Sequence, residues 1–229
     1  MDPRRKLWNQ QQQALRQSLA CLDNTTRAIE IFLRQHAMLH AAGMSGMGLW
    51  SFEDEIMGGL SEQQMRIIPR NLDHSIVWVL WHMTRIEDAT MNLLVAGSPQ
   101  VLLRENWLER MEIPVRDTGN GMDPDGVADL SAAINIPALR AYRLSVGGRT
   151  RAIVNQLQPH ELRQKVDPAR FGHMTEEEAD SVEASGLLEY WGRLTITGLL
   201  LMPPTRHAFL HWSETLRIKQ KIRSTATPV

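Results

Sequence analysis

The chain has 229 residues, of which 43% are hydrophobic and 22% are charged, and its formal net charge at pH 7 is −1. This composition is close to the average for globular proteins, which excludes a chain that is disordered throughout. The balanced charge also disfavours binding to the backbone of DNA or RNA, because such binding requires a basic excess.

Cysteine content and hydropathy exclude further classes of protein. The only cysteine is Cys21, so an intramolecular disulfide and a cysteine-rich metal cluster are both excluded. The basic start, Met1–Lys6, runs into Gln10–Gln13 rather than an apolar segment, and no signal peptide is predicted. The most apolar stretch, residues 186–202, is interrupted by Glu189, so no membrane span is predicted. We therefore expect a soluble cytoplasmic protein, with Cys21 as an inert thiol.

Apolar residues recur at intervals of three and four along much of the chain, which is typical of amphipathic helices. The first such stripe runs from Leu15 to His40 and predicts one long helix. The second runs from Leu72 to Leu94 and the third from Leu139 to Leu157. Gly97 follows the second stripe and Pro159 follows the third, as expected for residues that end helices.

A fourth stripe runs from Leu187 to Leu201 and is followed by Pro203 and Pro204, after which a helical pattern resumes over residues 207–222. Whether this last piece is a separate helix or a kinked continuation stays open from the sequence. No segment shows the alternation that is typical of strands. Because each helix must bury its stripe against the others, the sequence predicts an all-α four-helix bundle in a single domain over residues 1–229.

Two long connections, residues 43–70 and 98–135, separate the predicted helices. The first is rich in glycine and methionine and carries the acidic run Glu53–Glu55. Connections of this length inside a compact domain usually cover a functional site. We expect the same of these two.

His207 and His211 lie four residues apart in the last helical segment. This spacing places both imidazoles on one face of a helix, with Cβ atoms about 5–6 Å apart, and two such nitrogens can bind one metal ion. The alternative is a pair of surface or capping histidines. His82, beside Trp78 at the edge of the second stripe, is the best candidate for a third ligand. Its alternative role is a core-edge histidine that is hydrogen-bonded to a carboxylate.

The helix around Trp78 and His82 and the late pair His207 and His211 resemble the DinB/YfiT-like superfamily. The resemblance covers roughly residues 10–222. It implies a four-helix bundle that binds one divalent metal ion through three histidines, which in this chain are His82, His207 and His211.

The chain departs from the family pattern at two places. Trp212–Glu214 follow the second histidine of the pair where the family commonly has Gly-Gln, and the 98–135 connection is longer than in short versions of the fold. Both departures concern the substrate and the reaction more than the metal.

The resemblance also implies a chemistry. Similar proteins include bacillithiol S-transferases, mycothiol-dependent isomerases, the metal-binding domain of ergothioneine-forming iron sulfoxide synthases, and metal-dependent hydrolases. Three protein ligands leave a position open on the metal for a water molecule or a thiol. We expect an enzyme that transfers a low-molecular-weight thiol to a small electrophile or hydrolyses a small substrate, using zinc or nickel, or else iron or manganese. A non-catalytic metal-binding stress-response protein and a metal-free bundle are the alternatives.

His36 and His40 are also four residues apart, on the inward face of the first predicted helix. They could supply an extra ligand, a proton relay or a substrate contact, or simply pack at the helix end. Glu87 either orients a ligand or acts as a base, or it faces solvent as a partner of Arg85. The remaining histidines have no partner at a useful spacing, namely His74, His160 and His173.

The neighbouring tryptophans Trp78 and Trp81 suggest more apolar surface than one narrow core can cover. A second copy of the chain is then expected to cover part of it, and we predict a homodimer. The other expected partner is a small molecule, and neither nucleic acid nor a membrane is expected.

Overall fold

The computed structural model describes residues 3–20, 25–176 and 185–225. Regular structure in these ranges is helical, apart from a single bridge between Lys165 and Thr195. In chain order the α-helices are α1 (Pro3–Ala20), α2 (Thr25–Leu39), α3 (Ala42–Ser45), α4 (Phe52–Met57), α5 (Glu62–Met65), α6 (Ile76–Asp88), α7 (Val101–Arg104), α8 (Trp107–Met111), α9 (Pro124–Ala133), α10 (Ile136–Gln156), α11 (Ala169–Glu176), α12 (Ser185–Gly192), α13 (Ile196–Leu201) and α14 (Ala208–Thr225). Cys21 and the side chain of His173 lie outside the described part of the chain.

The first predicted helix is two helices that pack side by side. The side-chain amide of Gln35 in α2 donates a hydrogen bond to the backbone carbonyl of Trp8 in α1, across 27 residues of sequence. In one straight helix these residues would lie about 40 Å apart, since each residue adds about 1.5 Å. The prediction of one long helix is therefore wrong. The chain runs in opposite directions in α1 and α2, and apolar periodicity does not detect such a reversal.

Helix α6 lies at the centre of the protein. Ser75 caps its N-terminus by accepting a hydrogen bond from the backbone N–H of Trp78. Wide π-type turns extend the helix over Ala89–Ala96, and Gly97 ends it with a φ of 61°. The second stripe predicts a helix with one buried face, whereas every residue from Ile76 to Val95 is buried. A helix that is buried on all sides is an internal helix.

The remaining long helices follow the other stripes. Helix α10 starts after its cap Asn135 and ends at Gln156, close to the predicted bounds. The fourth stripe is interrupted between α12 and α13. Helix α13 then continues through wide turns over Met202–His207, which contain Pro203 and Pro204, into α14. The last segment is thus a kinked continuation, because the prolines cannot donate backbone hydrogen bonds.

The apolar core consists of two clusters that follow one another along α6. The first packs Ile76–Met83 against α9, α10 and α14. The second packs the stretch from Ile86 to Val95 against α1, α2 and α13. Where the two clusters meet, α6 carries buried polar residues, namely His82, Thr84, Arg85, Glu87 and Asp88. These five residues place ionisable groups in the middle of the fold.

The two long connections contain short helices and pack on the core. Trp78 and Trp81 are only 4% and 0% exposed. Gly119, in the second connection, lies against them with a φ of 79°, and a Cβ there would lie 2.6 Å from the Trp81 ring. The tryptophans that motivated the homodimer prediction are therefore covered within one chain. The homodimer itself stays a prediction, which light scattering would test.

Asp88 holds the start of the second connection against α6. Its carboxylate accepts hydrogen bonds from the backbone N–H groups of Val101 and Leu102 at 2.8 and 2.9 Å, and from the hydroxyl of Tyr142 at 2.5 Å. The guanidinium of Arg85 pairs with the same carboxylate at 3.3 Å, and both side chains are fully buried. Hydrogen bonds, and not only apolar contact, thus set the position of this connection on α6.

The all-α prediction is confirmed. The short helices in the connections and the reversal between α1 and α2 go beyond a plan of four helices. No helix in the described ranges is both long enough and apolar enough to cross a membrane. The single domain over residues 1–229 stays a prediction.

Candidate metal centre

Three histidines converge where α6 meets the last helical segment. His82 lies in the middle of α6, His207 ends the wide turns after α13, and His211 lies one turn further along in α14. The ring centroid of His82 lies 5.2 Å from that of His207 and 4.9 Å from that of His211. One candidate ligand atom from each residue lies within 4.8 Å of the other two. The structure therefore brings together the three histidines that the sequence analysis singles out.

Hydrogen bonds fix two of these imidazoles with Nε2 free. Nδ1 of His82 lies 2.6 Å from the backbone oxygen of Thr118, and because a carbonyl only accepts, Nδ1 carries the proton. Nδ1 of His211 donates in the same way to the carboxylate of Glu214 at 2.8 Å. Metal-binding histidines are commonly held by such a second hydrogen bond, which fixes both tautomer and ring orientation. In both rings, Nε2 is thus the atom left to face a cation.

The spacing of His207 and His211 fits a shared ion. Their Nε2 atoms lie 3.1 Å apart, and two nitrogens bound to one zinc ion at about 2.0–2.1 Å would lie about 3.0–3.4 Å apart. At this distance, a proton on one of the two nitrogens or a cation between them is needed to prevent repulsion of their lone pairs. Nδ1 of His207 is buried without a hydrogen-bond partner among the described residues, so no protein group opposes either arrangement. The donor set therefore fits a divalent metal ion.

Burial keeps two of the imidazoles neutral. It lowers the pKa of His82 to about 3, and repulsion from the nearby His211 ring, when that ring is protonated, acts in the same direction. Burial also holds the pKa of His207 well below its usual value, and repulsion between a protonated His207 and a protonated neighbouring ring acts in the same direction. Metal ions bind the neutral form of imidazole. Both rings are therefore already neutral at neutral pH, so a metal ion can bind without first removing a proton from a charged ring.

Glu214 and His74 are site residues that the sequence analysis misses. The Glu214 carboxylate accepts hydrogen bonds from Nδ1 of His211 and from Nδ1 of His74, each at 2.8 Å. Burial alone would raise the pKa of Glu214, but the two hydrogen bonds and the electrostatic attraction of His211 and His74 together offset burial, and the pKa is lowered. The three-residue spacing from His211 was a signal for Glu214. His74 is 140 residues from Glu214, so its partner lies at a distance along the chain that spacing in the sequence does not detect.

A second cluster of ionisable groups joins His36 of α2, and His40 directly after the end of α2, to Glu87 of α6. Nε2 of His36 lies 2.8 Å from one carboxylate oxygen of Glu87, and Nε2 of His40 lies 2.9 Å from the other. The side chains of all three residues are at most 1% exposed. The alternative of a solvent-facing Glu87 is therefore wrong, and so is that of histidines that merely pack at a helix end.

Gly147 of α10 is required for the position of the His40 ring. A Cβ at residue 147 would lie 2.8 Å from Nδ1 of His40, whereas a Cβ at Gly148 would meet no atom within 4 Å. We expect Gly147→Ala to lower the free energy of unfolding by about 1–3 kcal/mol through overpacking. Gly148→Ala should instead raise it, by up to about 1 kcal/mol, because alanine favours the helix. Urea denaturation of both variants measures this, and equal effects would contradict the contact with His40.

The metal-free protein should lose stability as the pH falls from 6.5 to 5. Burial is the main reason why the pKa values of His40 and His82 are about 3 in the folded protein, against 6.5 for an ordinary histidine. In this window the unfolded chain binds protons that the folded chain does not, so stability is present above pH 6.5 and lost below it.

The expected slope for the free energy of unfolding approaches about 1.4 kcal/mol per pH unit for each of these histidines. Urea unfolding in EDTA at several pH values measures it. His160 is exposed, so His160→Ala should leave the slope unchanged. A free energy of unfolding that is flat across this window would contradict the prediction.

A cavity of about 150 Å³ reaches His207. Its walls are mostly apolar and include Ile86, Trp191 and Met202, and Asn120 of the second connection contributes a side-chain amide. This amide donates a hydrogen bond to Thr118 Oγ1 at 2.7 Å, and the carbonyl of Thr118 holds His82. The second connection thus contacts both the histidine site and the cavity, and a small molecule in the cavity would lie beside His207.

Comparison with known proteins identifies the family. No curated protein is significantly similar to the chain. A family model for the DinB superfamily matches residues 54–179, a range that includes His82 and ends before His207 and His211. The match covers more than half of the 229 residues. Together with the helical fold around α6, it shows that this chain belongs to the DinB superfamily.

Proposed function

We propose that the protein binds a divalent metal ion through His82, His207 and His211 and is an enzyme that acts on a small molecule. The reaction is transfer of a low-molecular-weight thiol to a small electrophile, or hydrolysis of a small substrate. One observation carries the proposal: three imidazoles converge, and no fourth protein ligand joins them among the described residues. Structural zinc sites have four protein ligands, whereas catalytic sites have three and keep a position open.

Each part of the site has a role in this proposal. A divalent ion there supplies Lewis acidity, which lowers the pKa of a thiol or a water molecule in the open position. Zinc and nickel suit imidazole ligands, and iron and manganese accept them. Thr118 and Glu214 hold the rings of His82 and His211. The apolar cavity walls beside His207 bind the small substrate and keep bulk water away from it.

The competing function is a non-catalytic metal-binding protein of the same fold. The cavity at His207 favours the enzyme, because a purely structural ion needs no adjoining space for a ligand. Both proteins would bind metal, but only the enzyme would convert a substrate, so turnover distinguishes the two functions.

Metal analysis followed by a thiol screen tests the proposal. The protein is loaded with Zn²⁺ or Ni²⁺, desalted, and assayed with several low-molecular-weight thiols against a halo-aromatic and an epoxide electrophile, and with small esters and amides for hydrolysis. We expect turnover that is lost in His82→Ala and His207→Ala and kept in His160→Ala. Metal binding without turnover of any of these substrates would favour the non-catalytic function. A protein that binds no metal would overturn both.

Glu214→Ala should weaken zinc binding by about 10–100-fold, because groups that orient metal-binding histidines have effects of this size. The variant retains all three histidines but removes the acceptor for His211 Nδ1. Competition with a chromophoric chelator measures the affinity. Glu30 is exposed on α2, and Glu30→Ala is the matched control that should leave it unchanged. An unaltered affinity in Glu214→Ala would show that Glu214 does not position His211.

A further inference from the structure

We propose that His36, His40 and Glu87 form a second divalent-cation site, made of different residues from the three-histidine centre. Two histidines and a glutamate are a ligand set that zinc uses, and two histidines with one carboxylate also bind iron(II). One candidate ligand atom from each residue lies within 4.8 Å of the other two, and all three residues are buried.

The second cluster, His36, His40 and Glu87, is constructed in the same way as the three-histidine centre. In each, two histidines four residues apart face a third donor on α6, which is His82 in one case and Glu87 in the other. In the second cluster, Nε2 of His36 and Nε2 of His40 face different oxygens of the one carboxylate, at 2.8 and 2.9 Å. The donors from both helices thus already point at one another, as ligands of a shared ion do.

The charge of the second cluster favours a cation. Among the described residues, no lysine or arginine forms an ion pair with Glu87, since Arg143 pairs with Glu53 and Arg85 pairs with Asp88. The Glu87 carboxylate is buried between two imidazoles without a lysine or arginine from the described ranges to pair with it, and a buried carboxylate in this position favours a cation beside it. Imidazole N–H donors offset the charge of the carboxylate only in part, whereas a divalent ion would pair with the carboxylate directly and use both imidazoles as further ligands.

The rings of the second cluster are held in place, but their tautomers are not. His36 stacks on Phe32 with ring centroids 5.5 Å apart, and the backbone at Gly147 packs against the His40 ring. Nδ1 of neither histidine has a hydrogen-bond partner in the part of the chain that the structure describes. Each Nε2 can therefore exchange its proton for a cation through a change of tautomer alone.

Counting zinc ions per chain tests the second site. The full chain is incubated with Zn²⁺, desalted, and analysed by native mass spectrometry and elemental analysis. We expect two ions in the wild type and one in the double variant His36→Gln/His40→Gln. Glu87→Gln, which keeps the shape of the side chain but removes its charge, should also bind one. The exposed His160 supplies the control, and His160→Ala should keep both ions.

A second double variant, His207→Gln/His211→Gln, separates this proposal from the proposed function. A wild type with one ion that only this variant loses would overturn the second site and leave the proposed function standing. One ion that only the His36/His40 variant loses would support the second site and overturn the proposed function. Two ions that persist in Glu87→Gln would overturn the second site, and this variant decides the question if the His36/His40 variant does not fold. A wild type without zinc would overturn both.

Discussion

Asp88→Ala should lower the free energy of unfolding by about 3–5 kcal/mol, the usual effect of removing one partner from a buried ion pair. The substitution leaves the guanidinium of Arg85 buried without its carboxylate and removes the acceptor for the N–H groups of Val101 and Leu102 and for the Tyr142 hydroxyl. For a chain of this length, each kcal/mol corresponds to roughly 2–4 °C in melting temperature. Thermal melts followed by circular dichroism measure the shift.

Asp129 provides the matched control for this prediction. It is an exposed aspartate within α9, and Asp129→Ala should change the free energy of unfolding by no more than about 0.5 kcal/mol. If Asp88→Ala lowered the free energy by less than about 1 kcal/mol, the second connection would not depend on this buried carboxylate for its position.

His211→Ala should remove the ion of the three-histidine centre and all metal-dependent activity while the helices stay folded. Two apolar clusters provide most of the folding free energy, so the fold does not depend on this ion. The ion adds a binding contribution of about 2.7 kcal/mol when free metal is a hundredfold above Kd. Loss of this contribution should lower the melting temperature of the metal-loaded protein by roughly 5–10 °C.

Circular dichroism and metal content of His211→Ala decide whether the site is catalytic or structural. A helical spectrum with one ion fewer per chain than the wild type would agree with an open, catalytic site. A structural zinc site, by contrast, leaves an unfolded chain when a ligand is removed. A random-coil spectrum at 25 °C would therefore contradict the proposed function. His160→Ala should match the wild type in both measurements.

Features that depend only on residues close together in the sequence were predictable from the sequence. Apolar residues at intervals of three and four located α6 and α10, since a helix repeats every 3.6 residues. Gly97 marked the end of the central helix because it lacks the Cβ that disfavours a positive φ. The spacing of His207 and His211, and of His36 and His40, placed each pair on one helix face for the same geometric reason. His82 was found through its family resemblance and its place beside Trp78.

Pairings between distant segments were decided by the tertiary structure alone. The reversal between α1 and α2 leaves the apolar period unchanged, so the first stripe read as one helix. Glu87 found its histidine partners only because α2 packs beside α6, and His74 met Glu214 only because the chain brings residues 140 apart into contact. A helix buried on every side cannot be told from an amphipathic one while its neighbours are unknown. The sequence by itself thus determined the helical class of the fold, the helices α6 and α10 and the candidate ligands, whereas packing decided which charges are buried and which groups hold the ligands.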